Sequence, residues 1–226
     1  MKKPYLLIIT VILCLVLTGS MSLALAEDSD AETIEACRQA AKKNPDDETA
    51  HFNLGVAYLK SGMYKEAIEA FKQAIRIDPD DAKAHKTLGY VYFNLHMYKE
   101  AIESLKQVIR INPDATAHYN IGFVYGRSGM YKEAIEVYKR AIFINPDYTN
   151  AYNNLGNAYG ELGMYKEAIE VLKVAIRRYP DYAMSYYNLG LIYNLSNDKD
   201  SALEQYEILE NLDTQLANKL FRLINK

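Results

Sequence analysis

The chain has 226 residues, a formal net charge of −3, half of its residues hydrophobic, and 20 tyrosines but no tryptophan. The length is that of one or two domains. The charge balance, with no basic run beyond the first residues, excludes electrostatic capture of nucleic acid.

The first 26 residues differ from all that follow. Lys2 and Lys3 precede an apolar stretch from Tyr5 to Leu17, Ala24-Leu25-Ala26 has small residues where signal peptidase cuts, and acidic Glu27-Asp28-Ser29-Asp30 comes next. This pattern predicts a cleaved secretory signal over residues 1–26. The alternative is a membrane anchor, since residues 5–26 are long enough to span a bilayer core of ~30 Å; membrane contact is expected only in that case. A lipoprotein is disfavoured because Leu13 precedes Cys14 where a small residue is needed. Cleavage would remove two lysines and no acid, leaving a net charge of −5 and Cys37 as the only cysteine. Cys37 falls on the apolar side of a helical pattern, which predicts burial. Residues 27–47 then read as an acidic lead-in and a capping half-repeat, the helix Ala31–Lys43 ending at Asn44-Pro45.

Next comes a repeat. Gly55, Gly89, Gly122, Gly156 and Gly190 are 34, 33, 34 and 34 residues apart, and each has a tyrosine three residues later. A fixed period of this size predicts stacked helical units rather than one globular core. Five units fall in register: Glu48–Asp81, Ala82–Asp114, Ala115–Tyr148, Thr149–Tyr182 and Ala183–Gln215. The seventh position is Leu54, Leu88, Ile121, Leu155 and Leu189, the eighth glycine, and the eleventh Tyr58, Tyr92, Tyr125, Tyr159 and Tyr193. The twentieth is Ala67, Ala101, Ala134, Ala168 and Ala202, and the twenty-fourth Phe71, Leu105, Tyr138, Leu172 and Tyr206. Each unit thus holds two helical stretches with apolar residues at three- and four-residue steps. Glycine and alanine at the eighth and twentieth positions let the two helices cross closely, and the large residues fill the space beside them.

Gly62, Gly129 and Gly163 mark the turn between the helices, where a left-handed residue ends the first one. His96 and Asn197 stand in for them; Asn and His tolerate positive φ better than most residues. Pro45, Pro79, Pro113, Pro146 and Pro180 each follow a second helix and precede an aspartate, which predicts a helix stop and a start for the next helix. Pairs such as Glu69/Lys72 and Glu136/Lys139 predict a solvated outer face. Thr214–Asn225 predicts a C-terminal capping helix over residues 214–226, with Leu216, Leu220, Phe221 and Ile224 as its apolar side. His51, His85 and His118 share the fourth position of successive units, but equivalent helices lie ~8–10 Å apart, too far for one metal, so helix packing is expected.

The pattern L-G-x-x-Y, then A-x-x-x-F, then P resembles the tetratricopeptide repeat over about three quarters of the chain. The resemblance implies an all-α, right-handed α-solenoid of helix–turn–helix repeats whose first helices line a concave groove for peptides or partner helices. The groove positions it implies are Phe52, Asn53, Lys86, Tyr90, Phe93, Tyr119, Asn120, Phe123 and Arg127 in the early units, and Asn153, Asn154, Asn157, Tyr187 and Asn188 in the later ones. Exposed aromatics along one groove mark a binding surface. Asn53, Asn120, Asn154 and Asn188 share the sixth position, and such a ladder of amides can pair with a peptide backbone. Gly126 and Gly160 suggest close approach of a ligand backbone or a looser turn. Lys86 and Asn120 fit two places of the family's clamp for a C-terminal carboxylate; Tyr90, Asn150 and Asn154 occupy the other three, so that clamp is not expected.

No nucleophile–base arrangement, phosphate loop or paired-carboxylate signature is present, so neither an enzyme nor a cofactor is expected. The expected function is a protein-interaction module or scaffold in a bacterial cell envelope, exported and periplasmic or anchored at the inner membrane. A second expectation is a scaffold of an envelope machine that self-associates through its Ala31 or Thr214 end helices.

Overall fold

The computed structural model describes residues 30–225. The predicted signal or anchor, residues 1–26, lies outside the described residues. Every regular element among those described is helical: α1 over 30–43, α2 (Glu48–Lys60), α3 (Tyr64–Ile77), α4 (Ala82–Asn94), α5 (Tyr98–Ile111), α6 (Ala115–Arg127), α7 (Tyr131–Ile144), α8 (Thr149–Glu161), α9 (Tyr165–Arg178), α10 (Ala183–Leu195), α11 (Lys199–Leu212) and α12 (Thr214–Ile224). They form an all-α solenoid of helix–turn–helix repeats: α2 packs on α3, α6 on α7, α8 on α9 and α10 on α11, and α12 lies against α10 and α11. The described residues divide into two compact units, one up to Val91 and the other from Tyr92 onward.

In the first unit the α2–α3 crossing is set by Gly55. A Cβ placed there would sit 2.7 Å from the Phe71 ring, which is itself fully buried and cannot yield. One turn further along α2, Arg38 of α1 donates to the Tyr58 hydroxyl at 3.2 Å. Cys37 corrects the burial expectation: it is only half-buried, on the outermost described helix.

The second unit repeats the crossing. Gly122 meets Tyr138 and Gly156 meets Leu172, with hypothetical Cβ distances of 2.7 and 2.6 Å. The last crossing departs from the pattern. Leu220 of α12, not Tyr206, fills the space over Gly190, and Tyr206 instead stacks on Phe221 with ring centres 5.1 Å apart.

The five turns are made by the residues the sequence marks for them. Gly62, His96, Gly129, Gly163 and Asn197 all have positive φ, between 59° and 79°. The next amide, on Met63, Met97, Met130, Met164 or Asp198, then donates to the carbonyl of the eleventh-position tyrosine at 2.9 Å. That bond satisfies a terminal carbonyl of the first helix.

Helix starts are less uniform than the proline–aspartate pattern predicts. Asp47 and Asp114 accept from the amides of Ala50 and Ala117 as expected. At α8 and α10 the caps are Tyr148 and Tyr182, without a side-chain capping bond. Asp147 instead receives Arg178 at 2.7 Å, and the Tyr179 hydroxyl donates to the Asp147 carbonyl at 2.9 Å. The aspartate has exchanged a capping role for a tie to the following repeat. His51, His85 and His118 bond the carbonyls of Pro45, Pro79 and Asp114 at 2.9–3.1 Å, so each imidazole packs against its own loop or helix.

Candidate ligand groove

In the first unit, Phe52 is buried, 6% exposed. Its ring centre lies 5.5 Å from that of Phe71, and the Lys83 ammonium covers it at 4.3 Å. Phe52 is therefore core, a correction to the groove expectation. Its apolar face is closed by a lysine from the first helix of the next repeat, whose stem and charge both favour the ring. Asn53, Lys86 and Tyr90 keep exposed side chains, Tyr90 at 58%.

The second unit contains most of the predicted groove residues, and it sorts them into two groups. Asn153 and Asn188 are 3% and 4% exposed. Asn153 donates to the Thr149 carbonyl and the Ser185 hydroxyl and accepts from Asn188 at 3.2 Å. These amides are spent on joining α8 to α10, which corrects the ladder there: a buried amide with its bonds filled has nothing left for a ligand. Tyr187 is also buried, with the Lys219 ammonium of α12 5.5 Å from its ring centre. The capping helix covers the place where a ligand would have met it.

The other group surrounds a cavity of about 400 Å³ between α6, α7 and α8. Phe123 and Arg127 come from α6, Asn154 and Asn157 from α8, all predicted, and Gly126 and Ala158 complete the walls. Phe123 is partly exposed and stacks on Phe93, ring centres 5.3 Å apart. Tyr119 lies beneath the site, its ring 4.9 Å from that of Tyr148 and 5.9 Å from that of Tyr138. The Asn154 amide donates to the Tyr119 hydroxyl at 3.2 Å, which fixes the orientation of that amide. Asn120 is half-buried. Gly126 has open space above it: an added Cβ would be an ordinary 3.8 Å from the Tyr138 hydroxyl. Gly160, by contrast, is a packing glycine, its hypothetical Cβ 2.4 Å from Ile192.

Five lining residues were not among the predicted groove positions: Gly126, Tyr131, Tyr138, Ala158 and Glu161. Two of them sit on α7, the second helix of its repeat, whereas the family pattern directs attention to first helices. A signal was available at Tyr138, a hydroxyl at a position filled by Phe71, Leu105 and Leu172 in three of the other four units and by Tyr206 in the last. Burial pushes the Tyr138 phenol well above the ordinary tyrosine range, and the neighbouring Tyr119 adds to the shift. Burial, and then the negative charge of nearby Glu161, also raise Tyr131. Arg127 is exposed and has no carboxylate within 4.0 Å among the described residues. The cavity thus combines aromatic side chains, a free guanidinium, a carboxylate and the Asn157 amide at its rim.

Tetratricopeptide-repeat family models match residues 49–81, 82–114 and 183–213, and a TPR-repeat model matches 127–163 and 156–197. No curated protein gives a significant match. Among solved structures, the crystal structure of MamA protein is 29% identical, with a TM-score of 0.66 over 72% of this chain and 90% of that one. YrrB, described as a TPR protein with an unusual peptide-binding site, is 24% identical, with a TM-score of 0.66 over 84% of this chain and 99% of its own. MamA from Desulfovibrio magneticus RS-1 is 24% identical, with a TM-score of 0.67 over 74% and 96% of the two chains. At that identity the last two bear on the fold alone. With matching repeats over more than half of its length, the chain belongs to the tetratricopeptide-repeat family.

Proposed function

We propose that this chain is a non-catalytic protein-interaction module that holds a peptide segment or partner helix in the groove of its repeat array, within a bacterial cell envelope. One observation carries the reading. Phe123, Arg127, Asn154 and Asn157, assigned to the groove from their repeat positions, line a single cavity of about 400 Å³. A concave site that joins aromatic side chains to a few convergent polar groups suits a ligand. Within the same unit, Phe93 and Asn120 extend the proposed surface along the first helices; Asn53, Lys86 and Tyr90 remain groove candidates of the other unit by repeat position alone. The envelope location rests on the leader-like pattern of residues 1–26.

The test is capture of partners from an envelope fraction by the mature chain, compared with Phe123→Ala and Asn157→Ala variants. Loss of the same captured polypeptide in both variants, with unchanged helicity, supports the reading. Equal capture by all three proteins overturns it.

A further inference from the structure

Resting on that peptide-binding reading, we propose that the α6–α7–α8 cavity selects a peptide carrying an acidic and a basic residue three positions apart in a polyproline-II stretch. Arg127 and Glu161 hold the same thirteenth position in successive units, and both line the cavity. The other units have Lys60, Asn94 and Leu195 there, so this pair of opposed charges occurs once in the array. The two groups do not close on each other, since no ion pair joins them within 4.0 Å. Glu161 lies near the Tyr131 phenol, whose pKa burial and then the Glu161 charge raise, while Arg127 has no partner among the described residues. Two opposite charges lining one cavity call for a ligand of the reverse polarity.

Their shared position on the first helices of successive repeats sets the spacing expected of the ligand. Equivalent points on adjacent packed helices lie ~8–10 Å apart. A polyproline-II chain advances about 3.1 Å per residue with three residues per turn, so the first and fourth side chains point the same way ~9 Å apart. An extended strand places the first and third residues on one face only ~6.8 Å apart and turns the fourth away. The polyproline-II backbone makes no internal hydrogen bonds, and Asn157, exposed at the rim, offers it both donors and an acceptor. The intervening side chains face Phe123 and Ala158, and Gly126 leaves them room.

The experiment uses the mature chain and an array of short Pro/Ala-framework peptides, each with one acidic and one basic residue. All separations up to two turns are included, in both orders, and binding is read by fluorescence anisotropy. Opposite charges three apart, in one of the two orders, should bind up to about tenfold more tightly than other separations. Combining Arg127→Glu with Glu161→Arg should shift the preference to the reversed order. The single Arg127→Gln variant should lose discrimination at the acidic position and keep its helicity. Binding that ignores separation and order, yet disappears in Phe123→Ala, overturns this inference and leaves the groove reading standing. Failure of every peptide to bind overturns the inference too, and envelope-fraction capture that is insensitive to Phe123→Ala then overturns the groove reading as well.

Discussion

The Lys139 ammonium lies 5.8 Å from the centre of the Tyr159 ring, joining the second helix of one repeat to the first helix of the next. Lys173 meets Tyr193 in the same way at 5.9 Å, and at the head of the array Arg38 hydrogen-bonds the Tyr58 hydroxyl. The glutamate–lysine pairs on the second helices are thus more than the solvated face predicted for them. Lys139 also bonds Glu136 at 3.4 Å, and Tyr159 leads the causes that raise the lysine's pKa. Replacing Lys139 with Met, which keeps most of the stem, should destabilise the array by about 0.5–1 kcal/mol. Glu136→Gln, which removes an exposed ion pair, should cost about 0–0.5 kcal/mol. Urea denaturation of both variants checks the ranking.

One substitution should have opposite consequences at two glycines. Gly156→Ala forces a methyl to within 2.6 Å of the fully buried Leu172, and overpacking of that kind costs about 1–3 kcal/mol. Gly126→Ala meets only ordinary contact at 3.8 Å, and the gain in helix propensity, up to about 1 kcal/mol, leaves stability equal or higher. The same methyl narrows the cavity, so Gly126→Ala should weaken ligand capture while the melting temperature holds or rises. Thermal unfolding and capture measured on one preparation separate the two effects.

The buried amides belong to the scaffold. Asn153→Ala leaves Ser185 and Asn188 without the partner they have at 2.9 and 3.2 Å. Unsatisfied buried groups of that kind cost about 1–3 kcal/mol. Ligand capture at the α6–α7–α8 cavity should be unchanged when measured below the lowered melting temperature.

Alkaline pH should unfold the array. Burial raises Tyr119, Tyr138 and Tyr148, so the folded state keeps their protons longer than the unfolded chain does. Their contribution is complete below the unfolded phenol value of about 10 and is lost as pH rises from there through the folded values. Tyrosinate absorbance during a pH titration should show a fraction of the tyrosines ionising only together with loss of helicity. Free titration of every tyrosine with helicity retained would contradict this.

The fold was legible because its determinants are local and repeated. A left-handed residue at each turn and a small residue at each helix crossing can be read from spacing alone, and His96 and Asn197 were recognisable as substitutes from their chemistry. The site was legible only in part, because position within a repeat fixes direction but not what comes to cover a side chain. Phe52 is closed off by Lys83 and Tyr187 by Lys219, contacts that depend on neighbouring helices. Asn153 and Asn188 were drawn inward by Ser185, which stands where the other units have Ala50, Ala84, Ala117 and Ala151. That single hydroxyl was the readable hint. Tyr131 and Tyr138 were missed because they reach the cavity from a second helix.

The central claim is that a polypeptide ligand sits against α6 and α8. A photo-crosslinking amino acid at Asn157, on the cavity rim, tests it directly in the producing cell, with Glu136 on the outer side of α7 as the comparison site. The account predicts a discrete crosslinked polypeptide from position 157 and none from position 136. Crosslinks of equal yield at both positions, or at 136 alone, would contradict it.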